Sequence, residues 1–253
     1  MKKFAVSLLC AFVPVRSVRH QLRARLLAVV DDYGKNNRAE LVKPDGSIVK
    51  LRYLPNVHIV FKGNNNLVRL HEPVGDLKLE INVNSNVEIE LMPSRGQRRF
   101  YIQKVDAPNE HNRLLVGQHC STTNVLTIDF SSGASNVTIG NDVMFSWGIA
   151  IRPGDCHTIY SLADNSKILN QNQDISVGDH VWIGADVLLL KGAKISNNTV
   201  VGTRAVVNKA FDEENVILAG MPANIVKRNI NWDRRSTGDY KKFVQQTDLS
   251  GSL

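Results

Sequence analysis

The sequence predicts an all-β solenoid, in which short parallel strands stack around one continuous apolar core. The main observation is a repeat of six residues, because aliphatic side chains recur at this spacing at Val177, Ile183, Leu189, Ile195, Val201 and Val207. A mostly small residue follows each of them, and a small or apolar residue stands four positions later. An α-helix needs a period of about 3.6 residues and an isolated strand a period of about 2. A sustained period of six is instead typical of short strands joined by tight corners.

The same spacing extends upstream of the regular repeats. Ile139, Phe145 and Ile151 continue it, with Gly140 and Ser146 after the first two. It recurs less regularly at Leu77, Val83 and Ile89, and at Val116 with Cys120 four positions later. Stacked repeats bury a core only against their neighbours, so a run of this length favours one solenoid over most of the chain.

The repeat divides the chain into three predicted parts. We expect a basic, helical N-terminal segment at 1–52, a β-helix domain at 53–230, and a C-terminal cap and tail at 231–253. Two stretches break the repeat, near 91–115 and 155–174, and predict loops that leave the scaffold. The first contains the basic cluster of Arg95, Arg98 and Arg99, and the second is polar. A solenoid has an open edge that needs cover, and the predicted cap holds Trp232, Tyr240, Phe243 and Val244.

Composition narrows the class of protein. The chain has 253 residues, of which 43% are apolar and 22% charged, which indicates a globular protein and excludes a disordered chain or a membrane bundle. The net charge of +7 comes from residues 1–52, and the rest of the chain is balanced, so we expect no nucleic-acid partner. Cys10, Cys120 and Cys156 fit no disulfide or metal spacing, which favours a reducing, cytoplasmic location.

The N-terminus carries a basic helical pattern. Lys2 and Lys3 precede an apolar run, Phe4–Val13, that is too short to span a bilayer. From Ser17 onward, apolar residues recur at helical spacing and arginines occupy the other faces. Such a helix can lie on the inner face of a membrane through residues 1–30, dock on a partner, or pack on its own domain.

Four segments carry a resemblance to a known family. They are IGNDVMFSWGIAIRPGDCHTIY, VGDHVWIGADVLLLKGAKI, VVGTRAVVNKAF and ILAGMPANIVKR, between Ile139 and Arg228. These segments resemble the left-handed β-helix acetyltransferases, most closely those that O-acetylate capsule and lipopolysaccharide sugars of bacteria. The resemblance implies a left-handed parallel β-helix, a homotrimer, acetyl-CoA as the acetyl donor and a carbohydrate acceptor.

The resemblance also places the base of the reaction. Transfer of an acetyl group from a thioester to a hydroxyl needs a group that accepts the hydroxyl proton, and imidazole suits this task near neutral pH. His157 lies where the family has its catalytic base. Asp155 is two residues away, and it either orients the imidazole ring or serves as a turn residue after Gly154.

Two further residues are predicted to contact the substrates. Trp182 corresponds to a family tryptophan along the acceptor or acetyl-CoA channel, where a flat ring packs against pantetheine or a sugar face. Its alternative is ordinary core packing. His180 precedes it by two residues and is predicted to support the site.

The coenzyme A site is predicted from six residues. Gly184-Ala185 and Thr203-Arg204 correspond to two corners that let the ligand approach the main chain, although Arg204 replaces the usual glycine. Lys209 and Lys227 correspond to basic residues near the phosphates, and the alternative for each is a solvated surface charge.

No metal site is expected. The histidines lack the His-x4-His spacing of the β-helical carbonic anhydrases, and no Cys/His cluster has zinc spacing. Two other functions stay open: an acetyltransferase for a different acceptor, such as an amino sugar, serine or an antibiotic, and a β-solenoid module without enzymatic activity.

Overall fold

The computed structural model of the chain describes residues 29–104, 110–130 and 133–250, together with Val18. The predicted basic helix and its membrane alternative therefore lie outside the described residues, except for Val18, Val29 and Val30.

The described strands form three sheets. Sheet A contains, in spatial order, β1 (Val30–Asp32), β4 (Val57–Phe61), β6 (Asp76–Val83), β8 (Gln97–Lys104), β11 (Leu126–Phe130), β14 (Ala150–Arg152), β17 (Leu188–Leu190) and β20 (Val206–Val207). Sheet B contains β21 (Ala210–Phe211), β18 (Lys194–Ile195), β15 (Ile175–Val177), β12 (Ser135–Ile139), β9 (Asn112–Val116), β7 (Val87–Leu91), β5 (Leu67–His71), β2 (Arg38–Val42) and β3 (Ile48–Lys50). Sheet C contains β10 (Ser121–Thr122), β13 (Met144–Phe145), β16 (Trp182–Ile183), β19 (Val200–Val201), β22 (Ile217–Gly220) and β23 (Ala223–Lys227).

The chain visits the three sheets in rotation, and this explains the repeat of six residues. From β15 to β20, each strand pairs in parallel with the strand that lies three elements further along the chain. Val177 pairs with Ile195, Ile183 with Val201 and Leu189 with Val207. Each pair is separated by three hexapeptides, so one hexapeptide supplies one strand and one corner.

The aliphatic residues of the repeat form the core between the three sheets. All six aliphatic residues from Val177 to Val207 are buried, and so are Ile139, Phe145 and Ile151. The residues four positions later, including Val181, Ala193 and Thr199, are buried as well. Burying a side chain of this size contributes about 1.5–3 kcal/mol, so the stack is stabilised by its continuous interior.

The sheets begin earlier than the sequence predicts. β1 pairs in parallel with β4, and β2 with β5, so the segment at 1–52 contains strands of sheets A and B instead of being helical throughout. In β2 the buried residues Ala39 and Leu41 alternate with polar ones, which is the period of a strand. A search for a six-residue repeat does not detect β2, because many strands in the N-terminal half of the chain are longer than those of the regular repeats.

The predicted excursion at 91–115 is also wrong, because β8 and β9 lie within it. The inward positions of β8 include the basic residues Arg98 and Lys104. The sequence of this regular strand therefore has the polar pattern of a loop. The Arg98 guanidinium is buried and donates hydrogen bonds to the carbonyls of Met92 (2.8 Å) and Val74 (2.9 Å). Burial lowers the pKa of Arg98 to about 10. The second excursion does leave the sheets, and an antiparallel bridge between Tyr160 and Ile168 lies within it.

The C-terminal segment begins at the edge of sheet C. The strand β23 pairs antiparallel with β22 there. The helix α1 (Thr237–Ser250) follows, and the rings of Tyr240 and Phe243 pack on each other and remain exposed. The guanidinium of Arg235 lies 3.9 Å from the Phe243 ring, which joins α1 to the residues just before it. Among the described helices, none is long and apolar enough to cross a membrane.

Candidate functional site

His157 lies on the excursion between β14 and β15. Its side chain is exposed, and its ring forms no hydrogen bond with any described residue. Its main-chain carbonyl accepts a hydrogen bond from Nδ2 of Asn170 at 2.7 Å, which ties the two sides of the excursion together. The backbone at His157 is therefore held in place while the ring nitrogens stay available to a substrate.

Asp155 does not orient the His157 ring as one alternative predicted. Its Oδ2 forms an ion pair with Nζ of Lys191 and accepts a second hydrogen bond from Nδ2 of Asn170 at 3.0 Å. The hydrogen bond from Lys191, followed by that from Asn170, lowers the pKa of Asp155 below its usual value. Asn170 also binds the His157 carbonyl. Through Asn170 and Lys191, Asp155 therefore attaches the start of the excursion to the corner after β17.

Trp182 lies on the outer face of sheet C, so the alternative of core packing is wrong. Its side chain is 38% exposed, whereas the next residue, Ile183, points into the core. The Trp182 ring packs against that of Trp232, with centroids 6.1 Å apart and an interplanar angle of 45°. Within the described residues, neither a hydrogen bond nor a ring contact joins Trp182 to His157.

His180 is bound within a network and is not free to contact a substrate through its ring nitrogens. Its backbone has a φ of 53°, at the corner between β15 and β16. Nδ1 lies 2.6 Å from Oδ2 of Asp142, and Nε2 lies 3.1 Å from the carbonyl oxygen of Trp232. The His180 and Trp232 rings stack with centroids 4.3 Å apart and an interplanar angle of 10°.

The other side of this network is formed by residues that the sequence did not single out. Nε1 of Trp232 donates to the His180 carbonyl at 2.8 Å, and Nε of Arg234 donates to Oδ1 of Asp142 at 2.9 Å. Arg234 also donates to Oγ of Ser121 at 2.9 Å. Partial burial by itself raises the pKa of Asp142, but the hydrogen bonds from His180 and Arg234 outweigh it and lower that pKa overall. The segment 231–236 is thus attached to the corners of three successive repeats.

The small residues predicted to line the coenzyme A site share one corner. Gly184-Ala185 follows β16 and Thr203-Arg204 follows β19, and the amide of Arg204 donates to the carbonyl of Ala185 at 2.8 Å. A Cβ atom on Gly184 would lie 2.8 Å from the main-chain nitrogen of Thr203, so only glycine fits. Arg204 has a φ of 59°, a conformation that favours the glycine usual at this position. Its exposed side chain approaches Asp186 at 3.7 Å.

Trp147 stands at the head of this corner and was missed by the sequence analysis. Its carbonyl accepts a hydrogen bond from the amide of Asp186 at 2.8 Å, so Trp147 lies one turn of the stack before Ala185. The Trp147 side chain is 54% exposed, whereas the residues at the same position in the next two turns, Ala185 and Thr203, are small. The signal available was an aromatic residue at a position where the later repeats have alanine and threonine.

The two predicted lysines do not share the corner of Thr203. Lys209 follows β20 in sheet A, where its Nζ lies 3.4 Å from Oδ1 of Asn224 and 5.3 Å from the centroid of Phe211. Lys227 lies at the end of β23 opposite Ile217, and its side chain is exposed. Both ammonium groups face solvent near the C-terminal end of the stack.

The described residues contain no group of three or more His, Cys, Asp or Glu side chains that could hold a metal ion. Of the cysteines described, Cys120 is buried, and burial raises its pKa to about 11. Cys156 is exposed beside His157, and its Sγ lies 3.7 Å from a guanidinium nitrogen of Arg152.

The fold and these corners are similar to those of proteins built from hexapeptide repeats, and several relatives of the chain are named as O-acetyltransferases. No protein-family model matches the chain. It is 48% identical over 99 residues to a polysialic acid O-acetyltransferase of Neisseria meningitidis, covering 39% of this chain and 46% of the relative. It is 34% identical over 111 residues to a galactoside O-acetyltransferase of Lactococcus lactis, covering 44% of this chain and 51% of the relative.

A solved structure extends the similarity to the fold. The structure of the polysialic acid O-acetyltransferase OatWY is 26% identical, with a TM-score of 0.52, and covers 85% of this chain and 98% of the other. The chain spans about half the length of the curated relatives named above. The resemblance to hexapeptide-repeat O-acetyltransferases stated from the sequence is confirmed by these comparisons.

Proposed function

We propose that the chain is an O-acetyltransferase that transfers an acetyl group from acetyl-CoA to a carbohydrate hydroxyl, on a left-handed parallel β-helix. One observation carries the proposal. His157 presents an exposed ring without a protein partner, on a backbone held by Asn170, within a fold similar to that of a polysialic acid O-acetyltransferase. An imidazole that is fixed in position but free at its nitrogens suits general base catalysis.

The reaction needs one base, and His157 supplies it. Acetyl-CoA supplies an acetyl group activated as a thioester. His157 accepts the proton of the acceptor hydroxyl as the oxygen forms its bond to the acetyl carbon. The carbon–sulfur bond then breaks, and the protonated His157 returns the proton to the departing sulfur. Asp155 and Lys191 hold the excursion, so their contribution is the position of His157.

The corner after β16 and β19 offers a fit for the pantetheine arm. Gly184 lets the two corners stack closely, because the backbone of Thr203 fills the space that a Cβ would need. Arg204 and Lys227 are exposed cations with which phosphates can pair. Lys209 is a further cation near the C-terminal end, beside Asn224.

We infer that the site is completed between subunits of a homotrimer. Trp182 belongs to sheet C and His157 to the excursion after sheet A, and neither a hydrogen bond nor a ring contact joins them within the described part of one chain. A neighbouring subunit that presents Trp182 to the excursion would unite them. Trimeric assembly is common among symmetric oligomers and creates such heterologous contacts.

The acceptor class that we propose is a sugar hydroxyl of a bacterial surface polysaccharide or its precursor. The names of the relatives specify polysialic acid and galactosides, both of which are carbohydrates. The enzyme would work in the cytoplasm, with residues 1–30 as a contact to the membrane surface. An amino sugar, serine or an antibiotic is the alternative acceptor, and a non-enzymatic solenoid is the alternative class.

The test combines donor binding with transfer. Purified protein is incubated with acetyl-CoA and a panel containing polysialic acid, a galactoside, an amino sugar, serine and chloramphenicol, and release of free thiol is measured. We expect release only with a carbohydrate hydroxyl, together with one added acetyl group by mass spectrometry. Coenzyme A at 100 times its Kd should stabilise the fold by about 2.7 kcal/mol. The absence of both thiol release and stabilisation would favour the non-enzymatic module.

A further inference from the structure

We propose that the C-terminal segment 231–236 is a positioning device for Trp182, held in place by its contacts with His180 and Asp142. Trp232 and Arg234 are the positioning residues of this device. The proposal rests on the proposed role of Trp182 in substrate binding. Its structural part concerns only contacts within one chain.

The contacts of His180 hold its ring from two sides. Nδ1 lies 2.6 Å from a carboxylate oxygen of Asp142, and Nε2 lies 3.1 Å from the main-chain carbonyl oxygen of Trp232. The ring therefore links the corner before β13 to the C-terminal segment.

His180 contacts Trp232 in three ways. Its Nε2 lies 3.1 Å from the Trp232 carbonyl oxygen, its ring stacks on the indole at 4.3 Å, and its own carbonyl accepts from the indole Nε1 at 2.8 Å. The guanidinium carbon of Arg234 lies 5.6 Å from the same indole. A cation on the face of an indole is attracted by the ring quadrupole, so Arg234 also stabilises the position of the Trp232 ring.

Trp232 in turn limits the movement of Trp182. The two indoles are 6.1 Å apart and tilted by 45°, an arrangement favoured for aromatic pairs. Trp182 lies on an outer strand face, where its other neighbours across the sheet are Met144 and Val200. Without Trp232, one side of the exposed indole would be open and further rotamers would become accessible.

Arg234 attaches this segment to the repeats. It forms an ion pair with Asp142 at 2.8 Å and donates hydrogen bonds to Ser121 and to the carbonyl of His119. The charged groups that face His180 are Asp142, from the corner before β13, and Arg234, from the C-terminal segment. The nearby Asp179 accepts hydrogen bonds from Asn141 instead. The Asp142 carboxylate therefore contacts both His180 and Arg234.

The first experiment measures the exposure of Trp182 and Trp232 together, without requiring turnover. The chain has three tryptophans, so a Trp147→Phe background leaves these two. Acrylamide quenching of their fluorescence is compared for the parent, Arg234→Gln and Arg235→Gln. Arg235 is the matched control, because it lies in the same segment but pairs with Asp233. We expect increased quenching for Arg234→Gln and no increase for Arg235→Gln, and equal quenching of all three proteins would overturn the proposal.

The second experiment measures turnover of the assembled enzyme. Trp232→Ala should raise the KM for the substrate that contacts Trp182 by about tenfold and change kcat less, because positioning mainly affects binding. A lowered kcat with an unchanged KM would contradict the proposal. If wild type shows no turnover, the quenching result still tests the device, and only the proposed function fails.

Discussion

Truncation of Ile195 tests the register of the repeat most simply. Ile195 is 2% exposed and packs between sheets, whereas its neighbour in β18, Lys194, points to solvent. Ile195→Ala removes three carbon atoms, and each buried methylene contributes about 0.8 kcal/mol. The cavity left behind adds to this loss, so we expect destabilisation of about 2–5 kcal/mol.

The matched control is Lys194→Ala in the same strand. Lys194 forms an exposed ion pair with Asp212 at 2.6 Å, and exposed pairs of this kind contribute about 0–1 kcal/mol. The assay is denaturant unfolding followed by circular dichroism at one fixed protein concentration, because oligomerisation shifts apparent stability. Equal losses for the two variants, or a larger loss for Lys194→Ala, would refute the assignment of inward and outward positions.

Three further predictions follow from the site. Gly184→Ala places a Cβ 2.8 Å from the backbone of Thr203, so we expect lower stability and weaker coenzyme A binding by calorimetry. The control is Gly238→Ala in α1, whose Cβ meets no atom within 4 Å and which should change neither stability nor coenzyme A binding. Trp182→Ala should raise the KM for donor or acceptor by about tenfold with a smaller change in kcat in steady-state assays, and unchanged KM values would argue against contact with substrate. The pKa of Asp155 is lowered in the folded protein. Its ion pair with Lys191 is therefore complete above the pKa of the unfolded chain and is lost as the pH falls through the pKa of the folded protein. Asp155→Asn should remove this acid sensitivity of the excursion in hydrogen-exchange measurements, and retained sensitivity would contradict the assigned contact.

The regular repeats could be predicted because each inward position carries one type of residue. From Val177 to Val207 every sixth residue is aliphatic and buried, so spacing alone locates strands and corners. The N-terminal half was harder, because β8 places Arg98 and Lys104 at buried positions and satisfies them with main-chain carbonyls. Hydropathy cannot distinguish such a strand from a basic loop.

The candidate site was predictable only in part. His157 and Trp182 were identified through resemblance, and the structure places them on different elements. The roles of Trp232 and Arg234 could not be predicted from spacing, because they bind His180 and Ser121 across 52 and 113 positions of the chain. Such contacts depend on how the segment after β23 returns over the corners, and local sequence does not specify that path.

The most direct test of the proposed function is the effect of His157→Ala on turnover. The variant is compared with wild type and with Cys156→Ala, which alters the adjacent exposed residue of the same excursion. We expect kcat to fall by about 10²–10⁴ for His157→Ala, since a general base contributes about this factor. Coenzyme A affinity should be unchanged, the rising limb of the pH profile should vanish, and Cys156→Ala should behave as wild type. A His157→Ala protein with nearly wild-type kcat and an intact rising limb would show that another group accepts the proton.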